Sequence, residues 1–215
     1  LTSSPSKIKS FVWHGGEPTL AGLPFFEKAV ALQKKYLPQG SECWNNLQTN
    51  GLALDDAWCS FLKKEKFDVG VSIDGIRLIH DQYRLDASGH PTYEKICANI
   101  KRLSRYGIKP DLLCTVSKET ALHPYEVYQA LKNFNTGWIQ FIPIVNRNGN
   151  GFLLKESVDA KLYGDFLISV FHQWLYNDLG TCGVQFFMEE LNDFPGFALH
   201  NGAILSANSS TETSP

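Results

Sequence analysis

A change of hydrophobic period, repeated along most of the chain, constrains its fold more than any other feature. Phe11-Val12-Trp13 is a short apolar run that stops at His14-Gly15-Gly16-Glu17-Pro18. After Pro24, the residues Phe25, Ala29, Leu32 and Tyr36 recur at the spacing of one helix face, and Pro38-Gln39-Gly40 closes that segment. A strand-like stretch from Cys43 to Leu47 ends in Gln48-Thr49-Asn50-Gly51, and Asp55 or Asp56 then caps a helix carrying Trp58, Phe61 and Leu62. The unit returns with Phe67 to Ile73, which ends in Asp74-Gly75. Thr92 is placed to cap the next helix, with Ile96, Ile100 and Leu103 on its face and Gly107 at its close. Asp111 to Val116 precedes a helix opened by Pro124, with Val127, Leu131 and Phe134. Trp138 to Val145 precedes the longest helix, which follows Asp159 and carries Tyr163, Phe166, Val170, Phe171 and Trp174 on one side.

Strand and helix thus alternate about five times, and the strands read as too apolar to face water on either side. That pattern calls for an α/β fold with a parallel sheet wrapped by helices. Right-handed crossovers leave two architectures: an open doubly wound sheet, or a closed or partial (β/α) barrel.

The 215 residues suit one domain, or one large piece of an α/β barrel, with a substantial core. A hydrophobic content of 43% excludes a disordered chain, and 20 Lys+Arg against 22 Asp+Glu leave no basic surplus for a nucleic-acid footprint. No apolar run reaches membrane-spanning length, and residues 1–10 lack the pattern of a signal peptide. The five cysteines, Cys43, Cys59, Cys97, Cys114 and Cys182, are odd in number and widely spaced. Neither a disulfide framework nor a metal-binding CxxC follows from them; they read as small hydrophobes in a reducing cytoplasm.

Parallel sheets place their chemistry at the C-terminal ends of the strands. Those ends are loaded here: His14-Gly15-Gly16-Glu17-Pro18, Gln48-Thr49-Asn50-Gly51, Ser72-Ile73-Asp74-Gly75 and Gln140-Phe141-Ile142-Pro143. Gly, Asn and Asp serve as turn residues at most strand ends, but four loaded ends in succession point to a site.

Gly15-Gly16-Glu17-Pro18 after an apolar strand resembles the GGEP motif of radical S-adenosylmethionine (SAM) enzymes. The wider text runs from Trp13 to Leu23, then Leu47-Gln48-Thr49-Asn50-Gly51, Val71-Ser72-Ile73-Asp74-Gly75, Ile79-His80-Asp81-Gln82-Tyr83-Arg84 and Ile139-Gln140-Phe141-Ile142-Pro143. It resembles the anaerobic sulfatase-maturating enzymes over about residues 10–195. The resemblance implies a partial (β/α) barrel, missing its first strand, with SAM and a [4Fe–4S] cluster at its mouth. It implies an oxidoreductase in which a 5′-deoxyadenosyl radical takes hydrogen from the β-carbon of a sulfatase Cys or Ser, leaving Cα-formylglycine. The implied partners are a sulfatase polypeptide and an electron donor such as flavodoxin or ferredoxin, with neither nucleic acid nor membrane.

By family position, Gly16 and the neighbouring backbone of Gly15 hold the SAM ammonium with Glu17 nearby. Ser72 and Arg84 take the carboxylate, Val145 packs near the adenine, and His14, Gln48 and Asn50 face the same mouth. SAM carries an ammonium and a carboxylate, so it needs acceptors on one side and a charge-assisted donor on the other. The residues alone leave other readings open. Arg84 could pair with Asp81 or Asp86 at the surface, Ser72 could cap its strand end, His14 could be a satisfied imidazole, and Asp74 reads as a turn former before a base.

The resemblance also breaks in places. The family's CxxxCxxC cluster motif is absent, so no metal ligand and no catalytic residue is assigned, and no Cys-rich region follows Cys182. His200-Asn201-Gly202 is followed by Ala207-Asn208 where the family has Cys-Asp, and Ile76 stands where it has Pro. The expected organisation is a core over 1–195 and a divergent, disordered tail over 196–215. Taken alone, the chain is expected to be inactive. A degenerate, non-catalytic binding module is the alternative, and a hydrolase using Glu17 and Asp74 as paired carboxylates the weakest reading.

Overall fold

The computed structural model describes residues 6–192, 197–200 and 203–206. Six parallel strands form one sheet in sequential order: β1 (Ile8–Trp13), β2 (Glu42–Thr49), β3 (Asp68–Ser72), β4 (Asp111–Val116), β5 (Trp138–Pro143) and β6 (Gly183–Val184). The helices are α1 (Leu23–Tyr36), α2 (Asp56–Lys64), α3 (Arg77–Tyr83), α4 (Tyr93–Arg105), α5 (Lys118–Ala121), α6 (Pro124–Lys132), α7 (Ala160–Asn177) and α8 (Gln185–Asn192). A doubly wound sheet reverses its strand order at a switch point. This one never does, which selects the partial-barrel architecture of the two left open. The sheet is not closed: among the described residues, β1 pairs only with β2 and β6 only with β5.

One face of the sheet carries the core. Leu47, Val69, Val71, Ile73, Leu112, Cys114, Val116, Ile139 and Phe141 are all buried under the helices. The alternate residues, among them Ser10, Val12, Trp44, Gln48, Ser72, Thr115, Gln140 and Ile142, are half-buried or exposed. The expectation that both faces are shut away from water therefore fails for one face. Its period-2 polar residues were masked by the β-branched neighbours between them.

Two local expectations are corrected. On α1 the buried residues are Phe26, Val30 and Gln33, whereas Phe25, Leu32 and Tyr36 are exposed. The cause is a polar anchor inside the core. Gln33 and Asn45 exchange side-chain amide hydrogen bonds of 2.9 and 3.0 Å, and Trp13 Nε1 donates to the same Asn45 oxygen at 2.9 Å. At the start of α4, Thr92 holds the N-cap position without capping through its side chain. Asp81 Oδ1 instead accepts from the Thr92 and Tyr93 amides, at 3.1 and 2.9 Å.

The other boundary signals hold. Asp55 accepts from Trp58 N and Asp159 from Leu162 N, each at 2.9 Å, and Gly107 ends α4 with φ +70. Where the tail was expected, β7 (Phe197–His200) and β8 (Ala203–Ser206) pair antiparallel, and residues 207–215 lie outside the described residues. The reading of Ala207-Asn208 lies outside them too.

Candidate functional site

The parallel register brings the loaded ends of β1, β2, β3 and β5 to one edge of the sheet. His14 to Glu17 follow β1, Gln48 and Asn50 sit at the end of β2, and Ser72 is the last residue of β3. Arg84 arrives from the end of α3 and returns to Asp74, just beyond β3. All the sequence-predicted residues therefore share the C-terminal edge, Val145 included, which follows β5 and is exposed.

Glu17 organises the first loop. Its Oε1 accepts from Thr19 N (3.0 Å), Thr19 Oγ1 (2.6 Å) and Thr49 Oγ1 (2.7 Å), while Oε2 accepts from Asn50 N at 2.7 Å. These bonds fill the acceptor positions of a carboxylate and tie the loop to the end of β2. The loop's free backbone lies at Gly15 and Gly16, with φ of +91 and +54 and nothing within 4 Å of a Cβ built at either. Left-handed geometry and open space together suit close approach of a ligand to main-chain groups.

The second half of the edge is an ion pair between the buried Asp74 and the half-buried Arg84. Arg84 Nε donates to Asp74 Oδ2 at 2.6 Å and Nη2 to Asp74 Oδ1 at 2.9 Å; Nη2 also donates to Thr115 Oγ1 at 2.7 Å. Asp74 Oδ1 accepts a further bond from Thr115 N at 2.9 Å. Arg84 thus pairs with neither Asp81 nor Asp86, and Asp74 is neither a mere turn former nor an available base. With Glu17 and Asp74 both committed to donors, neither stands free for the paired-carboxylate hydrolase. Arg84 Nη1, by contrast, has no partner among the described residues. Arg84 lines a cleft of about 230 Å³ together with Asp74, Tyr83, Thr115, Ser117, Thr120 and Ile144. His14, Gln48 and Ser72 likewise make no side-chain hydrogen bond among the described residues, so these polar groups stand uncommitted at the same edge.

Behind the ion pair lies His80, fully buried, a residue to which the sequence reading gave no role. Burial is the main cause holding its pKa down at about 4, against a smaller opposing pull from Asp74. Thr115 has no signature at a strand position, and Thr92, which reads in the sequence only as a helix cap, turns its hydroxyl to His80 and the Arg84 carbonyl instead.

A larger cavity, about 480 Å³, opens at the opposite end of the strands among Asn46, Lys63, Phe67, Asp68, Lys109 and Asp111. There burial, and then the charge of Asp68, push the Asp111 carboxyl up to about 6. The strand C-terminal edge remains the place where parallel-sheet proteins assemble chemistry.

The thiols do not form a cluster site. All five are unpaired, and burial raises the pKa of each, to about 11 for Cys59 and Cys182. Cluster ligation needs thiolates. Among the described residues, no three His, Cys, Asp or Glu side chains gather as metal ligands.

The model of the radical SAM superfamily matches residues 4–134. The chain belongs to the radical SAM superfamily. Within it, this radical SAM chain is 35% identical over 201 residues to a serine-type anaerobic sulfatase-maturating enzyme of Bacteroides thetaiotaomicron, covering 86% of the chain and 48% of the relative. It is 38% identical over 173 residues to a cysteine-type enzyme of Clostridium perfringens, covering 79% and 46%. The solved structure of native anSMEcpe with bound AdoMet and Kp18Cys peptide superposes with a TM-score of 0.80 at 35% identity, covering 87% of this chain and 52% of that one. The chain spans about half the length of the curated relatives it matches.

Proposed function

We propose that this chain is the SAM-binding core of a sulfatase-maturating oxidoreductase, which converts an active-site Cys or Ser of a sulfatase to Cα-formylglycine. One observation carries the reading. An uncommitted Arg84 Nη1 and a free Ser72 hydroxyl stand at the strand edge that bears Gly15-Gly16, in a chain 35–38% identical to maturating enzymes. In this reading the Gly15 and Gly16 backbone accepts the SAM ammonium, on a loop that Glu17 holds. Arg84 Nη1 and Ser72 donate to its carboxylate. Val145 offers an apolar surface to the adenine, and His14, Gln48 and Asn50 line the approach.

SAM fits these residues, because the uncommitted Arg84 Nη1, the Ser72 hydroxyl and open glycine backbone are what its amino-acid end requires. Bound SAM supplies the one-electron chemistry that removes hydrogen from the substrate's β-carbon. This chain's share is to hold the amino-acid end and shield it on the core side. A [4Fe–4S] cluster does not fit the described thiols, and no step is assigned through it. The partners in this reading are a sulfatase polypeptide and a flavodoxin- or ferredoxin-type electron donor, in the cytoplasm. No helix of the described residues is long and apolar enough to cross a membrane.

The test is a graft. Residues 10–195 replace the aligned stretch of the Clostridium perfringens cysteine-type enzyme, and the chimera, reconstituted anaerobically with iron and sulfide, receives SAM, a reductant and a sulfatase-derived Cys peptide. Formylglycine detected by mass spectrometry is the expected result, with loss of product in the Arg84→Ala chimera. A cluster-loaded chimera that makes none would refute the reading. Residues 1–215 by themselves are expected to release no 5′-deoxyadenosine.

A further inference from the structure

We propose that His80 and Thr92 are positioning residues, which lock the Asp74–Arg84 ion pair in the geometry that presents Arg84 Nη1 to the SAM carboxylate. The proposal rests on the reading of Arg84 as carboxylate anchor. It starts from hydrogen-bond direction. Thr92 Oγ1 donates its single proton to the Arg84 carbonyl at 2.6 Å. Toward His80 Nε2, 3.1 Å away, that hydroxyl can therefore only accept, so Nε2 carries the ring proton. Nδ1 is then bare, and it accepts from the Asp74 amide at 3.2 Å.

One directed chain results, from the Asp74 amide through His80 and Thr92 to the Arg84 carbonyl. It joins the main chains of the two ion-pair residues, which are ten positions apart. His80 is 0% and Thr92 3% exposed, so water cannot substitute for either. A bidentate carboxylate–guanidinium pair tolerates little displacement of its two backbones, and this bridge sets that separation. The low pKa of His80 keeps the imidazole neutral, as the chain requires. Thr92 leaves its own helix uncapped to serve this bridge, and Asp81 caps α4 in its place.

A buried histidine that merely stabilises the fold would make similar contacts, so the test must separate the two. Binding of S-adenosylhomocysteine and of 5′-methylthioadenosine, which lacks the amino-acid end, is measured by calorimetry. Thr92→Val is expected to weaken S-adenosylhomocysteine about tenfold and to leave 5′-methylthioadenosine unchanged, with Thr92→Ser restoring the loss. Arg84→Ala should show the same ligand dependence. If Thr92→Val does not fold, His80→Gln, which keeps an acceptor and a donor on one side chain, takes its place with a smaller expected loss. In the wild-type protein the Arg84 Nε–H should exchange slowly with solvent, and faster in either variant.

Equal weakening of both ligands, or of neither, with Arg84→Ala still selective, would overturn the positioning role alone. Unchanged S-adenosylhomocysteine affinity in Arg84→Ala would overturn the anchor reading and this proposal with it.

Discussion

At the residue scale, two desolvated titrating groups, one buried and one half-buried, pull stability in opposite directions across one pH window. His80 has its folded pKa lowered from 6.5 to about 4, so between these values the unfolded chain binds the proton first. Its contribution is complete above 6.5 and is lost as pH falls through 4. Asp111 has its folded pKa raised from 3.8 to about 6. Its contribution is complete below 3.8 and is lost as pH rises through 6. Each is bounded by about 1.4 kcal/mol per pH unit, and together they offset between pH 4 and 6. Urea-denaturation series at stepped pH separate them. Asp111→Asn should make stability climb more steeply with pH over that window than in the wild type, and His80→Gln should make it climb less. A slope unchanged in both variants would mean that neither group is desolvated as described.

At the scale of elements, α1 shows where sequence pattern stops being enough. Its limits were legible from Pro24 and Pro38, yet its apolar spacing pointed to Phe25, Leu32 and Tyr36, a face the fold leaves outside. Gln33 is buried only because Asn45 on β2 satisfies it, a partner twelve residues away that periodicity cannot register. The rotation of α1 is thus set by a polar contact. Gln33→Leu should cost about 1–3 kcal/mol, since it leaves the buried Asn45 Nδ2 with only a long bond to Cys43 Sγ. Asn45→Leu should cost more, because Trp13 Nε1 and Gln33 both lose their acceptor or donor. Chemical denaturation monitored by tryptophan fluorescence gives the ranking, and the reverse order would remove Asn45 from the centre of that network. Where helices bury a plain apolar stripe, as α6 does with Val127 and Leu131, spacing places those two residues correctly, though Phe134 lies beyond the helix end.

Across the whole molecule, the site was more legible than its wiring. Glycine-rich and polar text after apolar runs marked the ends of β1, β2, β3 and β5 as one edge, because parallel strands deliver their ends together. What the text could not reveal was which polar groups are spent on each other. Glu17 and Asp74 look available in sequence and are filled in the fold, whereas Ser72, Gln48 and Arg84 Nη1 remain open. The roles of His80, Thr92 and Thr115 depend on contacts between elements, and no spacing rule encodes them.

Chemical-shift mapping shows whether SAM is held at this edge. SAM is titrated into the 15N-labelled chain, and backbone amides together with arginine Nε–H signals are followed. Saturable shifts are expected to concentrate at Gly15, Gly16, Asn50, Thr115 and Arg84 Nε. Shifts concentrated instead around Lys63, Lys109 and Asp111, beside the larger cavity at the far end of the strands, would contradict binding at this edge.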